Sequence, residues 1–249
     1  MDSNALESLF DRVQKPARYT GGELNSVIKD KERMAIRFAF AFPDLYEVGM
    51  SHLGMKILYG LFNAQPDVWC ERVFMPDRDM EALLREEEIP LFALESRDAL
   101  GDFDFIGFTL QYEMCYTTVL HMLDLAGIPL RAADRDERYP LVVGGGPCAC
   151  NPEPVADFFD LFTLGEGEEV NLELFELYRR CREEGYSKAA FLRRAAQIEG
   201  VYVPSLYAVA YEKDGRVESV TPLEGAPARV RKRLLLDLDR AYYPDKFVV

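Results

Sequence analysis

The segment Met34–Phe42 reads Met-Ala-Ile-Arg-Phe-Ala-Phe-Ala-Phe and stops at Pro43. A run this apolar, with no alternation between water-facing and core-facing positions, suits a strand buried on both faces. Such strands belong to parallel sheets covered by helices on either side. A loop with Gly49, Ser51 and Gly54 follows, and then Leu53, Ile57, Leu58 and Leu61 recur at helical spacing as far as Phe62. Strand, glycine loop and helix in that order open a βαβ unit, so the chain is expected to be α/β.

The alternation continues along the chain. Val73-Phe74-Met75 reads as a second strand, Asp77 to Glu88 as an acidic helix ended before Pro90, and Leu91 to Leu94 as a short strand. Phe103 to Leu110 is another apolar run, followed by a helix from Cys115 to Ala126 that Gly127 and Pro129 stop. Tyr139 to Val143 and Phe158 to Leu164 complete an open, mostly parallel sheet of about five strands. Helices over Glu169 to Arg182 and Lys188 to Ile198 come after them. From Gly200 the pattern changes to two β-rich runs, Val201 to Tyr211 and Arg216 to Val220, joined by Asp214-Gly215, a hairpin signal. The expected organisation is an N-terminal arm or short packed helix over 1–33, the α/β domain over 34–199, and a β-hairpin and linker over 200–249. Ending on Phe247-Val248-Val249 with no cap, the chain is expected to continue into a further domain.

Composition narrows the classes of function. With 43 acidic against 29 basic side chains in 249 residues, the formal net charge is −14. A general binder of phosphate backbones needs a positive footprint, so nucleic acid is not an expected partner. No apolar run approaches the roughly 18 residues of a membrane span, and Met1 to Phe10 has no basic-then-apolar leader; a cytoplasmic protein without a membrane partner is expected. The 5 cysteines are odd in number and scattered, which is not a disulfide framework. Their one close pair, Cys148 and Cys150, has no second pair or nearby histidine to complete a metal site, and is open to redox use or plain packing.

In an open parallel sheet, ligands bind outside the carboxyl ends of the strands. Four loops there have suitable composition: Pro43 to His52, Thr109 to Glu113, Gly144-Gly145-Gly146-Pro147 and Gly165-Glu166-Gly167-Glu168. Consecutive glycines let backbone amides approach a flat or phosphorylated ligand. Gly144 to Gly146 serve equally as a tight βα turn, and Glu166 and Glu168 as an acidic complement to a helix dipole. The triple glycine is not the G-x-G-x-x-G of a dinucleotide site. His52 is open to helix-start, packing or ligand roles, while His121, inside an apolar helix, reads as structural. The basic cluster Arg229 to Arg233 is expected to pair with an acidic neighbouring domain.

Taken in order, several segments resemble one family. These are Lys15-Pro16-Ala17-Arg18-Tyr19, Gly21-Gly22-Glu23-Leu24-Asn25, Pro43 to Ser51, Leu94-Glu95-Ser96, Phe103 to Glu113, Gly144-Gly145-Gly146-Pro147 with Asn151-Pro152-Glu153-Pro154, and Gly165 to Glu169. Together they resemble the N-terminal region of a group of radical S-adenosylmethionine (radical SAM) proteins, a region that itself resembles a cobalamin-binding domain. The resemblance implies a Rossmann-like, flavodoxin-like fold ahead of a radical SAM barrel. That downstream domain of the same parent chain would be its partner and would carry the 4Fe-4S cluster and S-adenosylmethionine; this chain has no C-x-x-x-C-x-x-C and so no catalytic residue of that kind. The resemblance also implies a cobalamin cleft lined by Gly49, Ser51, Thr109, Gln111, Gly144, Gly145 and Gly146, with Glu166 at the rim. Aligned with the D-x-H-x-x-G of histidine-ligating cobalamin domains, Gly54 as the last position puts Ser51 at the histidine and Gly49 at the aspartate. Two uses stay open: cobalamin held without a histidine ligand, or a docking domain with an empty cleft.

Overall fold

The computed structural model describes residues 3–223 and 225–249, with side chains from Leu6 onward; Met1 and Asp2 of the N-terminal arm, and Glu224, lie outside the described residues. Five strands are parallel: β1 (Ile36–Phe42), β2 (Val68–Phe74), β3 (Phe105–Thr109), β4 (Leu141–Gly145) and β5 (Leu161–Thr163). A sixth, β6 (Val201–Tyr202), is added antiparallel to β5, so the sheet runs β2-β1-β3-β4-β5-β6. The first five positions have the doubly wound order of flavodoxin-like folds. The helices are α1 (Ser3–Phe10), α2 (Tyr46–Met50), α3 (Leu53–Asn63), α4 (Arg78–Glu86), α5 (Tyr116–Leu125), α6 (Gly167–Glu183) and α7 (Lys188–Ala195). A separate antiparallel hairpin joins β7 (Tyr207–Tyr211) to β8 (Val217–Pro222). No helix among the described residues is long and apolar enough to cross a membrane.

β1 is buried along its whole length, and its side chains divide by size. Phe38, Phe40 and Phe42 point to one face, where Phe38 meets Phe62 of α3 at 5.1 Å and Phe175 of α6 at 5.7 Å between ring centroids. Ala39 and Ala41 point to the other, against a cluster that includes Val119, Met122 and Leu123 of α5. The period of two along a strand thus sorts large rings to the α3/α6 layer and methyl groups to the α5 layer. The N-terminal arm does contain a helix. Leu6, Leu9 and Phe10 of α1 pack on Met80, Leu83 and Leu84 of α4.

Three expectations from the sequence are corrected. β2 begins at Val68, not Val73, because Glu71 and Arg72 interrupt the apolar pattern yet are buried in the strand as ion pairs. Leu91 to Leu94 form no strand; Phe92 makes only an isolated bridge to Ala99, while the Leu94 amide donates to the Arg72 carbonyl at 2.9 Å. The run from Val201 to Tyr211 is broken by a turn at Pro204–Leu206 into β6 and β7, since Pro204 has no amide proton to give a ladder.

β2 is an edge strand, and side chains cover its open edge. The Asn63 side-chain amide exchanges two hydrogen bonds with the backbone of Cys70, at 2.9 and 3.0 Å. At Arg72, Glu95 accepts from the backbone amide at 2.7 Å and from the guanidinium Nε at 2.6 Å, and Glu23 accepts from Nη2 at 2.6 Å. The Arg72 and Glu95 side chains are 1% and 0% exposed. Removing one partner of such a pair strands the other charge in a low-dielectric interior, which costs about 3–5 kcal/mol. Glu95→Ala is accordingly expected to lower the unfolding free energy by about that amount in urea titrations. Arg12→Ala, which breaks only exposed pairs to Glu86 and Glu87, is expected to leave it nearly unchanged.

Burial pushes the Glu23 carboxyl up, but the hydrogen bond and charge of Arg72 outweigh it and hold the group below its ordinary value. A depressed folded pKa means stability that is present above the unfolded value of about 4.3 and is lost as pH falls through the folded one. Melting temperature is therefore expected to fall below about pH 4.3, and Glu23→Gln to flatten part of that fall in scans from neutral to acid pH.

Candidate functional site

β1 connects outward to β2 while the next strand, β3, lies parallel on its other side, so the direction in which strands are added reverses between β1 and β3. In folds of this kind the loops part at that switch point and leave a crevice above the strand ends. A cavity of about 300 Å³ occupies it here. Phe38 and Phe40 of β1, Gly107 of β3 and Val143 of β4 form its floor, and Ile57, Leu58 and Phe62 of α3 one wall. Its mouth is made by His52 and Gly54, Thr109 and Gln111, Gly145-Gly146-Pro147 and Gly165 to Glu168, with Thr163 and Asn171 beside them. The loops after β1, β3, β4 and β5 all converge on it.

Of the residues expected in the cleft, Thr109, Gln111, Gly145, Gly146 and Glu166 line this cavity; Gly49, Ser51 and Gly144 are not among its lining residues. Gly49 is buried in α2, where a β-carbon would overlap the Phe74 ring, and Gly144 has the Phe162 and Phe159 rings in the equivalent place. Ser51 is exposed and donates its hydroxyl to the Val48 carbonyl at 2.7 Å. Gly146 has a φ of +90°, and a β-carbon there would meet the Leu110 carbonyl oxygen at 2.9 Å.

The polar groups of the cavity are partly committed to one another. Gln111 Nε2 donates to Thr109 Oγ1 at 2.5 Å, and Asn171 Nδ2 donates to the Gly167 carbonyl at 2.6 Å. His52 caps α3, its Nδ1 accepting from the Met55 amide at 3.1 Å. No lysine or arginine lines the cavity, whereas Glu166 and Glu168 do. The described residues contain no group of three or more His, Cys, Asp and Glu placed to hold a metal ion. Asn171, Thr163 and His52 complete the site beyond the expected set. Asn171 could have been found from its place four residues after Gly167 on one helical face, and His52 from its place at the head of α3.

The segment after the hairpin borders this mouth. The Arg233 amide donates to the Leu164 carbonyl at 2.7 Å, the Glu166 amide to the Arg233 carbonyl at 3.2 Å, and the Leu235 amide to Glu166 Oε2 at 3.1 Å. Gly165, with φ +100°, is the only residue type that tolerates this approach, because a β-carbon would overlap the Arg233 carbonyl. The Arg233 guanidinium pairs with Glu169 and Glu173 of α6 at 2.8 and 2.6 Å. This corrects the expected external partner for that member of the basic cluster: the acidic face is on the same chain. A larger cavity of about 890 Å³ lies at the opposite end of β4 and β5, between α7 and β7. None of the glycine loops reaches it, so volume alone does not make it the cofactor cleft.

Residues 54–204, more than half of the chain, match the family described as the N-terminal region of radical SAM proteins. The chain belongs to that family. This radical SAM N-terminal region is 26% identical over 226 residues to Uncharacterized protein MJ0966 of Methanocaldococcus jannaschii, covering 86% of this chain and 44% of that protein. The chain thus spans less than half the length of the curated relative it matches. Among solved structures it is similar to the radical S-adenosylmethionine methyltransferase TsrM from Kitasatospora setae with cobalamin and a 4Fe-4S cluster bound, at TM-score 0.45 and 14% identity, covering 86% of this chain and 32% of that one. The same enzyme with tryptophan substrate and a SAM analog bound gives TM-score 0.43 and 13% identity over 78% of this chain and 31% of that one.

Because Gly146 combines a left-handed φ with a tight contact, Gly146→Ala is expected to destabilise the fold by about 1–3 kcal/mol in denaturant titrations. Gly101→Ala, where a β-carbon meets nothing within 4 Å, is expected to stay within about 0.5 kcal/mol of the parent.

Proposed function

We propose that this chain is the cobalamin-binding-like N-terminal domain of a radical SAM iron-sulfur enzyme, non-catalytic by itself, with its cofactor or substrate cleft at the C-terminal ends of the strands. The observation that carries the reading is the cavity at the β1/β3 switch point, rimmed by the glycine loops after β4 and β5. Its volume of about 300 Å³ is at the small end of ligand pockets. It encloses a heterocycle-sized moiety and leaves a corrin macrocycle outside. Gly145 and Gly146 would lie along the enclosed part, Gln111, Asn171 and His52 would hydrogen-bond to it, and Phe38, Phe40 and Leu58 would exclude water from it. When bound, cobalamin supplies a redox-active cobalt centre. The 4Fe-4S cluster and S-adenosylmethionine are assigned to the downstream domain of the parent chain, which is also the proposed partner.

A docking domain with an empty cleft is the second reading. Met114, Leu236 and Leu238 are 83%, 92% and 75% exposed, an apolar display suited to a partner domain. Met114 follows β3, and Leu236 and Leu238 follow the segment tied to Glu166.

Hydroxocobalamin mixed with the purified chain distinguishes the two. A stoichiometric complex, its visible spectrum travelling with the protein through gel filtration, is expected; absence of co-elution at micromolar ligand overturns the cofactor reading. Leu58→Trp, which fills the cavity from its α3 wall, is expected to abolish co-elution while the circular dichroism of the fold is kept.

A further inference from the structure

His52 stands at two places at once. Its Nδ1 accepts the Met55 amide proton at 3.1 Å and caps α3, while the residue is part of the cavity lining and its ring packs on Phe42, 5.3 Å between centroids. A nitrogen that accepts a hydrogen bond presents its in-plane lone pair to the donor, so Nδ1 carries no proton and the neutral ring's proton sits on Nε2. Among the described residues Nε2 has no protein partner.

The rest of the lining complements such a donor. Asn171 and Gln111 have each committed one of two amide protons to a neighbour, at 2.6 and 2.5 Å, so each offers a ligand its carbonyl oxygen as an acceptor and one remaining N–H. No cation lines the cavity and two carboxylates do, which disfavours a phosphate or carboxylate inside it. Aromatic rings form the floor.

We propose that His52 serves this cleft as a hydrogen-bond donor, through Nε2–H, to a neutral planar nitrogen heterocycle, and that it does not ligate cobalt; the second half rests on the cobalamin reading above. For the neutral ring, capping and ligation exclude each other. Ligation through Nε2 uses that atom's lone pair and moves the ring proton to Nδ1, where it would face the Met55 N–H. Two donors would then oppose each other and an amide in the first turn of α3 would lose its partner. Ligation through Nδ1 removes the cap directly.

The test has two arms. His52→Ser keeps an N-cap oxygen for the Met55 amide and has nothing that reaches the cavity, and its fold is checked by thermal melting. In the first arm the riboside of 5,6-dimethylbenzimidazole is titrated into both proteins. Binding by the parent that weakens about fivefold in His52→Ser, one hydrogen bond's worth, supports the donor role; equal binding, or none by the parent, overturns it. In the second arm, protein labelled with nitrogen-15 histidine is loaded with cob(II)alamin and read by electron paramagnetic resonance. A cobalt signal with no nitrogen splitting, or with the three-line splitting of the cofactor's own nitrogen-14, supports the absence of ligation. A two-line splitting that disappears in His52→Ser overturns it. Failure to retain cob(II)alamin at all overturns the cobalamin reading instead, and the riboside arm still decides the role of His52.

Discussion

The Arg72 guanidinium is buried in an edge strand, and much of the molecule is arranged to satisfy it. Glu95 takes its Nε and its backbone amide, Glu23 takes Nη2, the Met50 sulfur lies 3.2 Å from Nη1, and the Tyr59 ring centroid is 5.4 Å from its Cζ. One cation thus ties the N-terminal arm, α2, α3 and the 94–96 loop to β2. Desolvating the charges costs about as much as their attraction returns, so the consequence is less net stability than a single permitted assembly. A β2 slipped by one residue would expose Arg72 on the wrong face and leave both carboxylates unpaired.

The cavity at the β1/β3 switch point is a by-product of how β1 sorts its side chains. Phenylalanines on the α3/α6 face need room, and Gly107 supplies it beside Phe38, as Gly144 does for Phe162 on the α5 face; at either glycine a β-carbon would overlap a ring. Phe38 and Phe40 pack on α3 and α6 and also floor the cavity. Glycines in this chain therefore have two unrelated uses. Some accommodate rings in the core, and others, Gly146 and Gly165, accept left-handed backbone where a neighbouring segment comes close.

Polarity is divided in a way that bears on ligand choice. The outside of the cleft is acidic, with Glu169 and Glu173 drawing Arg233 onto α6. The interior is apolar below and polar above, where Glu166 and Glu168 join the neutral groups Thr109, Gln111 and Asn171. The segment through Arg233 and Leu235 is bound to the rim by backbone hydrogen bonds, and the tail beyond it returns over α3: Val248 is buried and the Val249 amide donates to the Leu24 carbonyl at 3.1 Å.

Local pattern alone determined β1, α3, α5 and the α/β class, because apolar period, caps and glycine stops act within a few residues of themselves. It also placed the four loops that converge on the cleft, since their composition reflects local backbone demands. It could not find the start of β2, where Glu71 and Arg72 read as surface residues; their partners Arg37, Glu23 and Glu95 lie far away in sequence. Nor could it separate Gly146 from Gly144, two positions apart and identical in type, of which one meets the cavity and the other the Phe162 ring. Those distinctions were decided by tertiary structure, because which face a residue presents and what charge it meets depend on strand register and on chain segments that only folding brings together.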